Sequence, residues 1–123
     1  MGMNVTWGTL ATLPVFDEMT ISSLRDIMGE DFDDLLQTFM TDADVRMDSV
    51  RQAIDSGDAE ALRKAAHSFK GSSVNVGARR LSEVCRMLED ALVQGQQPDA
   101  QEFLVALTRE YEQVVESVNR LRV

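Results

Sequence analysis

The chain has 123 residues, a net charge of −9, a hydrophobic content of 44% and an aromatic content of 6%. This length accommodates a single domain with one modest core, and the negative charge disfavours a protein that binds nucleic acids or anionic membranes. The scarcity of aromatic residues favours an aliphatic helical bundle over a sheet. We expect a cytoplasmic protein, because no apolar run approaches the ~20 residues that span a bilayer and the N-terminus lacks the features of a signal peptide.

The N-terminal part of the chain divides into a non-periodic segment and a short helix. Residues 1–15 show no sustained period and contain Pro14 near their end, so we interpret them as an N-terminal tail or arm. The remaining residues, 16–123, form the predicted helical domain. Asp17 or Thr20 can cap a short helix that ends at about Met28, with Gly29 as its stop.

Four longer helices follow. The first extends from about Asp31 to Asp55, and the second from Asp58 to about Asn75. The connection Ser56-Gly57-Asp58 ends the first of these helices and caps the second. The third ends before Gly95, and the fourth extends from Pro98 to about Arg122. Short connections make consecutive helices antiparallel neighbours. The predicted fold is therefore all-α, an up-down-up-down four-helix bundle with a short additional N-terminal helix.

The single histidine, His67, lies on the polar side of its helix. A helical wheel of about 100° per residue places Leu62, Ala66 and Phe69 on the opposite, apolar arc. Lys70 and Gly71 follow three and four residues after His67 and therefore lie beside it. A solvent-facing neutral imidazole can act as a nucleophile. A lysine supplies a charge for an anion, and a glycine removes a side chain that would hinder a second molecule.

The segment from Ala66 to Ala78, AHSFKGSSVNVGA, resembles the signature of histidine-containing phosphotransfer (HPt) domains. That signature has a histidine, a lysine three places later and glycines at the fourth and tenth places, here His67, Lys70, Gly71 and Gly77. The likeness extends over about residues 16–121. At one position this chain differs from some members of the family, in which a glutamine on the next helix forms a hydrogen bond with the histidine ring. The matching residue here is Glu89, which is therefore our candidate for orienting the ring of His67.

Basic residues are concentrated around the histidine in an otherwise acidic chain. Between Glu60 and Arg86 there are two acidic residues, Glu60 and Glu83, and six basic ones, which are Arg63, Lys64, Lys70, Arg79, Arg80 and Arg86. We interpret the region as a docking surface for an acidic partner or for the phosphoryl group, although such runs are often ordinary solvated faces. The predicted partner-binding residues are Arg63, Lys64, Val74, Arg79 and Arg86.

The resemblance implies a phosphorelay intermediate without autokinase activity. His67 would accept a phosphoryl group from the aspartyl phosphate of one receiver domain and transfer it to the aspartate of another, with Lys70 and Gly71 assisting. The partners would be receiver domains of hybrid sensor kinases and response regulators, and we expect a monomer that itself carries no cofactor. Mg²⁺ would belong to the receiver. We expect no metal site, because one histidine without a second imidazole or thiol on its face is a poor ligand set. Composition and periodicity alone do not exclude a helical adaptor that binds a partner through the His67 face, with His67 as an ordinary surface residue.

Overall fold

A computed structural model describes residues 7–121 of the chain. It contains five α-helices, which are α1 (Glu18–Met28), α2 (Phe32–Ser56), α3 (Ala59–Asn75), α4 (Arg79–Val93) and α5 (Ala100–Leu121). Single 3₁₀ turns precede α1 and α2, at Leu10–Thr12 and Gly29–Asp31. Within the described residues the β pairing consists of one isolated bridge, between Phe16 and Ala78. The predicted all-α class is confirmed.

Helices α2 to α5 form the predicted up-down-up-down bundle, in which α2 packs on α3 and α5, and α4 packs on α3 and α5. The connections between consecutive bundle helices are short, and a short connection brings the second helix back antiparallel to the first. No helix in residues 7–121 is long and apolar enough to cross a membrane.

The helix ends follow from local sequence. The Asp17 carboxylate accepts a hydrogen bond from the Thr20 N–H, and Asp58 accepts one from the Ala61 N–H at 3.0 Å, so each aspartate caps the N-terminus of its helix. Helix α2 is capped at its C-terminus by Gly57, whose φ of 66° is left-handed and suits glycine. These caps agree with the predicted boundaries of α1 and α3.

The core consists of the apolar stripes of the four bundle helices. Helical spacing places one buried residue on nearly every turn of each helix, which is how an amphipathic helix covers a shared core. The fully buried side chains of largest volume are Leu36, Val50, Phe69, Leu81, Val84, Cys85, Leu88, Phe103, Leu107, Glu110, Val114 and Val118.

Part of the predicted N-terminal tail packs on the bundle. The ring of Trp7 contacts the ring of Phe103 edge to face, with their centroids 5.3 Å apart, and its indole N–H donates to Glu102 at 2.7 Å. Leu10 is buried against the core. Residues 1–6 of the predicted tail lie outside the described residues, and the domain division at residue 15 stays a prediction.

The start of α1 is attached to the turn between α3 and α4. The Asp17 N–H donates to the Gly77 carbonyl at 2.8 Å, and the Arg79 N–H donates to the Val15 carbonyl at 2.9 Å. Gly77 has a φ of +74°, and a Cβ placed on it would lie 2.8 Å from the Cβ of Thr20. This turn therefore needs glycine both for its backbone conformation and for the close approach of α1.

Gly77→Ala is expected to destabilise the fold by about 2–4 kcal/mol, because a left-handed backbone costs an alanine about 1–2 kcal/mol and the contact with Thr20 adds to this. Gly95→Ala is the matched control, since Gly95 has the same φ of +74° but open space around it. Urea unfolding of both variants would measure the difference. Equal losses of stability would show that the close approach of Thr20 adds nothing.

Candidate functional site

Helix α3 presents a polar face opposite its buried stripe. Leu62, Ala66 and Phe69 are buried, whereas the His67 side chain is 65% exposed. Gly71 of the motif and Val74, a predicted partner-binding residue, are exposed on the same side of the helix as His67. The structure thus places the ring in reach of a second molecule.

A carboxylate from α4 contacts both titratable residues of the motif. Oε2 of Glu89 lies 2.5 Å from Nδ1 of His67, and its Oε1 lies 2.5 Å from Nζ of Lys70. The Glu89 side chain is only 9% exposed, so the two contacts meet at a nearly buried anion. Antiparallel packing of α3 and α4 creates this cluster, because it aligns the middle of α3 with the last turns of α4.

The charge state of Glu89 determines which ring nitrogen of His67 keeps a free lone pair. Burial raises the pKa of the Glu89 carboxyl, but hydrogen bonds from Lys70 and His67 outweigh burial, and the net pKa lies below the ordinary 4.5. An ionised carboxylate only accepts hydrogen bonds, so Nδ1 of His67 carries the proton. The neutral ring then has its lone pair on Nε2, the nitrogen that Glu89 does not engage.

Gly71 leaves open space beside the ring. It lies inside α3, and a Cβ placed on it would have no neighbour within 4 Å. Gly77 differs from Gly71 in this respect, because the close contact with Thr20 requires a glycine at Gly77. The packing of the bundle gives no reason for a glycine at Gly71.

The basic residues near the site have acidic neighbours. Arg63 pairs with Glu60 at 2.6 Å on the surface of α3. Arg86 pairs with Glu83 and, at 2.7 Å, with Asp90 along α4. Such exposed pairs within one helix cancel each other's charge and contribute little to stability. Lys64 and Arg79 are exposed, on α3 and at the start of α4.

One predicted member of the basic region lies elsewhere. Arg80 donates through Nε and Nη2 to Glu110 on α5, at 2.9 and 3.0 Å. Glu110 is 2% exposed, and Arg80 therefore serves a buried ion pair on the opposite side of α4 from Glu89. The interpretation that all six basic residues surround His67 is wrong for Arg80.

Two charged residues near these elements were not predicted. Glu110 occupies a core position of α5, where its spacing from Phe103, Leu107 and Val114 was a usable signal. Arg46 on α2 donates through Nη1 to Oγ of Ser68, the residue after His67. Arg46 has no comparable signal, because its contact depends on how α2 packs on α3.

Residues 7–121 contain neither a cluster of metal-binding side chains nor a reactive thiol. In that range no group of three or more histidine, cysteine, aspartate or glutamate side chains is close enough to hold a metal ion. Burial raises the pKa of the Cys85 thiol well above its ordinary value. The thiol is therefore protonated and unreactive.

Comparisons with known proteins agree with this architecture. The family model described as "Hpt domain" matches residues 34–117. Histidine-containing phosphotransfer protein B (HptB) from Pseudomonas aeruginosa PAO1 is 35% identical, with a TM-score of 0.85 over 90% of this chain and 96% of its own. A comparison with curated protein sequences found no match.

Two plant structures share the fold at low sequence identity. A rice protein described as a histidine-containing phosphotransfer protein is 14% identical, with a TM-score of 0.77 over 92% of this chain and 83% of its own. The histidine-containing phosphotransfer protein ZmHP2 from maize is 18% identical, with a TM-score of 0.70 over 94% of this chain and 92% of its own.

Proposed function

Because the chain belongs to the Hpt domain family, whose members carry phosphoryl groups in two-component signalling, we propose a specific phosphorelay role for it. His67 accepts the phosphoryl group from the aspartyl phosphate of one receiver domain and passes it to the aspartate of another. The observation that carries the proposal is the exposed ring whose Nδ1 contacts the buried Glu89. This contact leaves Nε2 as the nucleophile.

The transfer step uses the lone pair on Nε2. As the N–P bond forms, the P–O bond to the receiver's aspartate breaks, and the aspartate leaves as a carboxylate with the bonding electrons. The ring keeps its proton on Nδ1 and gains positive charge, which the adjacent Glu89 carboxylate stabilises. In the onward transfer a carboxylate oxygen of the second receiver's aspartate forms the new P–O bond as the N–P bond breaks. The ring leaves with the bonding electrons as a neutral imidazole that still carries its proton on Nδ1.

Lys70 contributes a cation that is already held in place. Its Nζ contacts Oε1 of Glu89, and its side chain is 30% exposed, so it is neither buried nor freely mobile. A phosphoryl group on His67 adds negative charge. The ammonium of Lys70 then interacts with both anions, and its effect is reduced by solvent screening.

The partners follow from this chemistry. Receiver domains of hybrid sensor kinases and of response regulators serve as donor and acceptor, and Mg²⁺ belongs to the receiver. We propose that the protein acts as a cytoplasmic monomer. We also propose that it has no autokinase activity, because its sequence contains no glycine-rich phosphate loop and no kinase motif.

Transfer assays with receiver domains of the source organism test this function. Each receiver is phosphorylated in the presence of Mg²⁺, mixed with the protein, and the label on each chain is followed. We expect label that is stable in base and labile in acid, as a phosphoramidate is, and at least one receiver that donates and one that accepts. Failure of every receiver and of a small phosphoramidate donor to label the protein would support the adaptor function instead.

Glu89→Leu is expected to slow labelling of His67 about tenfold or more, because the ring loses the group that fixes its orientation and its Nδ1 proton. Glu89→Gln retains a carbonyl that accepts from Nδ1 and should keep most of the rate. Initial rates with a small phosphoramidate donor measure this effect without the contribution of docking. Equal rates for the two variants would contradict a role of Glu89 in orienting the ring.

The same glutamate predicts a pH dependence of stability. Its pKa in the folded protein lies below 4.5, mainly through hydrogen bonds that outweigh burial. The ionised form therefore stabilises the fold above pH 4.5, and this contribution is lost as the pH falls through the lowered pKa. The stability advantage of wild type over Glu89→Gln, measured by urea unfolding, should shrink in acid. An advantage that does not change with pH would contradict this linkage.

A further inference from the structure

Two exposed valines lie at opposite ends of the His67 site. Val74 on α3 is 57% exposed and Val93 on α4 is 64% exposed. Val74 follows His67 by two turns, about 10 Å along α3, and Val93 follows Glu89 by about one turn, about 6 Å along α4. Because α3 and α4 are antiparallel, the two valines extend from the site in opposite directions.

Both valines fall within the area that a docked receiver would cover. A protein interface of standard size buries about 800 Å² on each partner, which corresponds to a disc of about 16 Å radius. A receiver that brings its aspartate to Nε2 of His67 centres such a disc on the ring. Val74 and Val93 both lie inside it, on either side of its centre.

The charges of the same face largely cancel. Arg63 and Arg86 form ion pairs within their own helices, and Lys70 contacts Glu89. The pKa of the Glu60 carboxyl is lowered mainly by the hydrogen bond from Arg63 and also by the charge of Lys64.

Arg79 likewise has an acidic neighbour. The pKa of Asp17 is lowered mainly by the hydrogen bond from Thr20 and also by the charge of Arg79. A surface on which these five cations have acidic neighbours, and on which Arg46 instead donates to Ser68, presents a weak net field to an approaching protein. Electrostatic attraction of an acidic partner is therefore a poor basis for docking here.

We infer that a receiver domain docks on the His67 face through two apolar contacts, one at Val74 and one at Val93, with only a minor contribution from the basic residues. The inference rests on the proposed function and specifies its docking surface. The partner it fits is a receiver with an apolar side chain on each side of its phosphorylated aspartate. Val93 is a specificity-determining residue in this arrangement, although it lies outside the HPt signature.

Substitution of each valine by asparagine tests the inference. Valine and asparagine have similar helix propensities, so the substitution removes the apolar side chain with little effect on the helix. The control is Val105→Asn on α5, since Val105 is also 57% exposed and α5 packs on α2 and α4 rather than on α3. The donor is the receiver that labels the wild type fastest in the assays above. Rates are measured at subsaturating receiver and at low and high ionic strength, with a small phosphoramidate donor in parallel.

Val74→Asn and Val93→Asn are each expected to lower kcat/KM for receiver-driven labelling about fivefold, the effect of losing a moderately important contact. Val105→Asn should stay within about twofold of wild type, and labelling by phosphoramidate should not change in any variant. High salt should alter the receiver rate less than either valine substitution does. Valine variants that match Val105→Asn, or a rate that collapses in high salt, would overturn the inference while leaving the proposed function intact. A wild type that no donor labels would overturn both.

Discussion

His67→Gln is expected to abolish phosphoryl acceptance while leaving the fold intact. His67 is the only histidine in the chain, and an amide nitrogen has no available lone pair with which to attack phosphorus. The side chain is 65% exposed, and a glutamine amide N–H can replace Nδ1 as a hydrogen-bond donor to Glu89, so the loss of stability should be small. Labelling by a phosphorylated receiver and by phosphoramidate would measure the loss, and urea unfolding would check the fold.

Ala59→Gln is the matched control for this loss. Ala59 is exposed on the same helix and lies outside the predicted binding residues, so its replacement introduces the same side chain without removing the imidazole. This variant should retain most of the labelling. Label on His67→Gln would mean that the nucleophile is another residue and that the proposed chemistry is wrong.

The fold was predictable because its determinants are local. Apolar residues at helical spacing identified the helices, and capping residues such as Asp17 and Asp58 identified where two of them begin. Gly57 indicated where α2 ends. Short connections then left the antiparallel bundle as the arrangement that buries all four apolar stripes.

The site was predictable to the extent that it lies on one helix. The spacing of His67, Lys70 and Gly71 along α3 was enough to place them side by side. Glu89 came from the family resemblance, because no property of α4 alone indicates which of its residues meets the histidine ring. Its contact with Lys70 was not predicted, since it requires the relative positions of α3 and α4.

The contacts that the sequence analysis did not predict join residues that are far apart in the sequence. The ion pair of Arg80 with Glu110 joins α4 to α5, and the packing of Trp7 on Phe103 joins the N-terminal segment to α5. The spacing of Glu110 within α5 indicates its burial, but no helical period identifies the partner in either pair, because a period describes only neighbours along the same helix. Arg80 was therefore counted with the surface cations, and its charge was assigned to the wrong face.

Gly71 is expected to trade stability for function. Glycine inside a helix costs roughly 0.5–1 kcal/mol relative to alanine, and a Cβ at this position meets no neighbour within 4 Å. Gly71→Ala should therefore raise the free energy of unfolding by about this amount. Gly71→Gln should retain most of the gain, since glutamine is also a good helix former.

Transfer from a receiver should change in the opposite direction. A glutamine at this position extends beside His67 into space that the receiver occupies as its aspartate approaches Nε2. A misplacement of the reacting atoms by about 1 Å can cost a hundredfold in rate, so Gly71→Gln should lower receiver-driven labelling by tenfold or more. Alanine adds one methyl group and should have a much smaller effect, while a small phosphoramidate donor should label all three proteins at similar rates.

Three measurements on wild type, Gly71→Ala and Gly71→Gln separate clearance from packing. These are the free energy of unfolding in urea, the initial rate of labelling by the receiver and the rate of labelling by phosphoramidate. If Gly71→Gln unfolds more easily than wild type, Gly71 has a packing role that its open surroundings do not explain. If the variant is more stable and still accepts from the receiver at the wild-type rate, the receiver does not need the space beside His67, and the clearance argument is wrong. A loss with the receiver that is matched by an equal loss with phosphoramidate would instead place the effect on the ring itself.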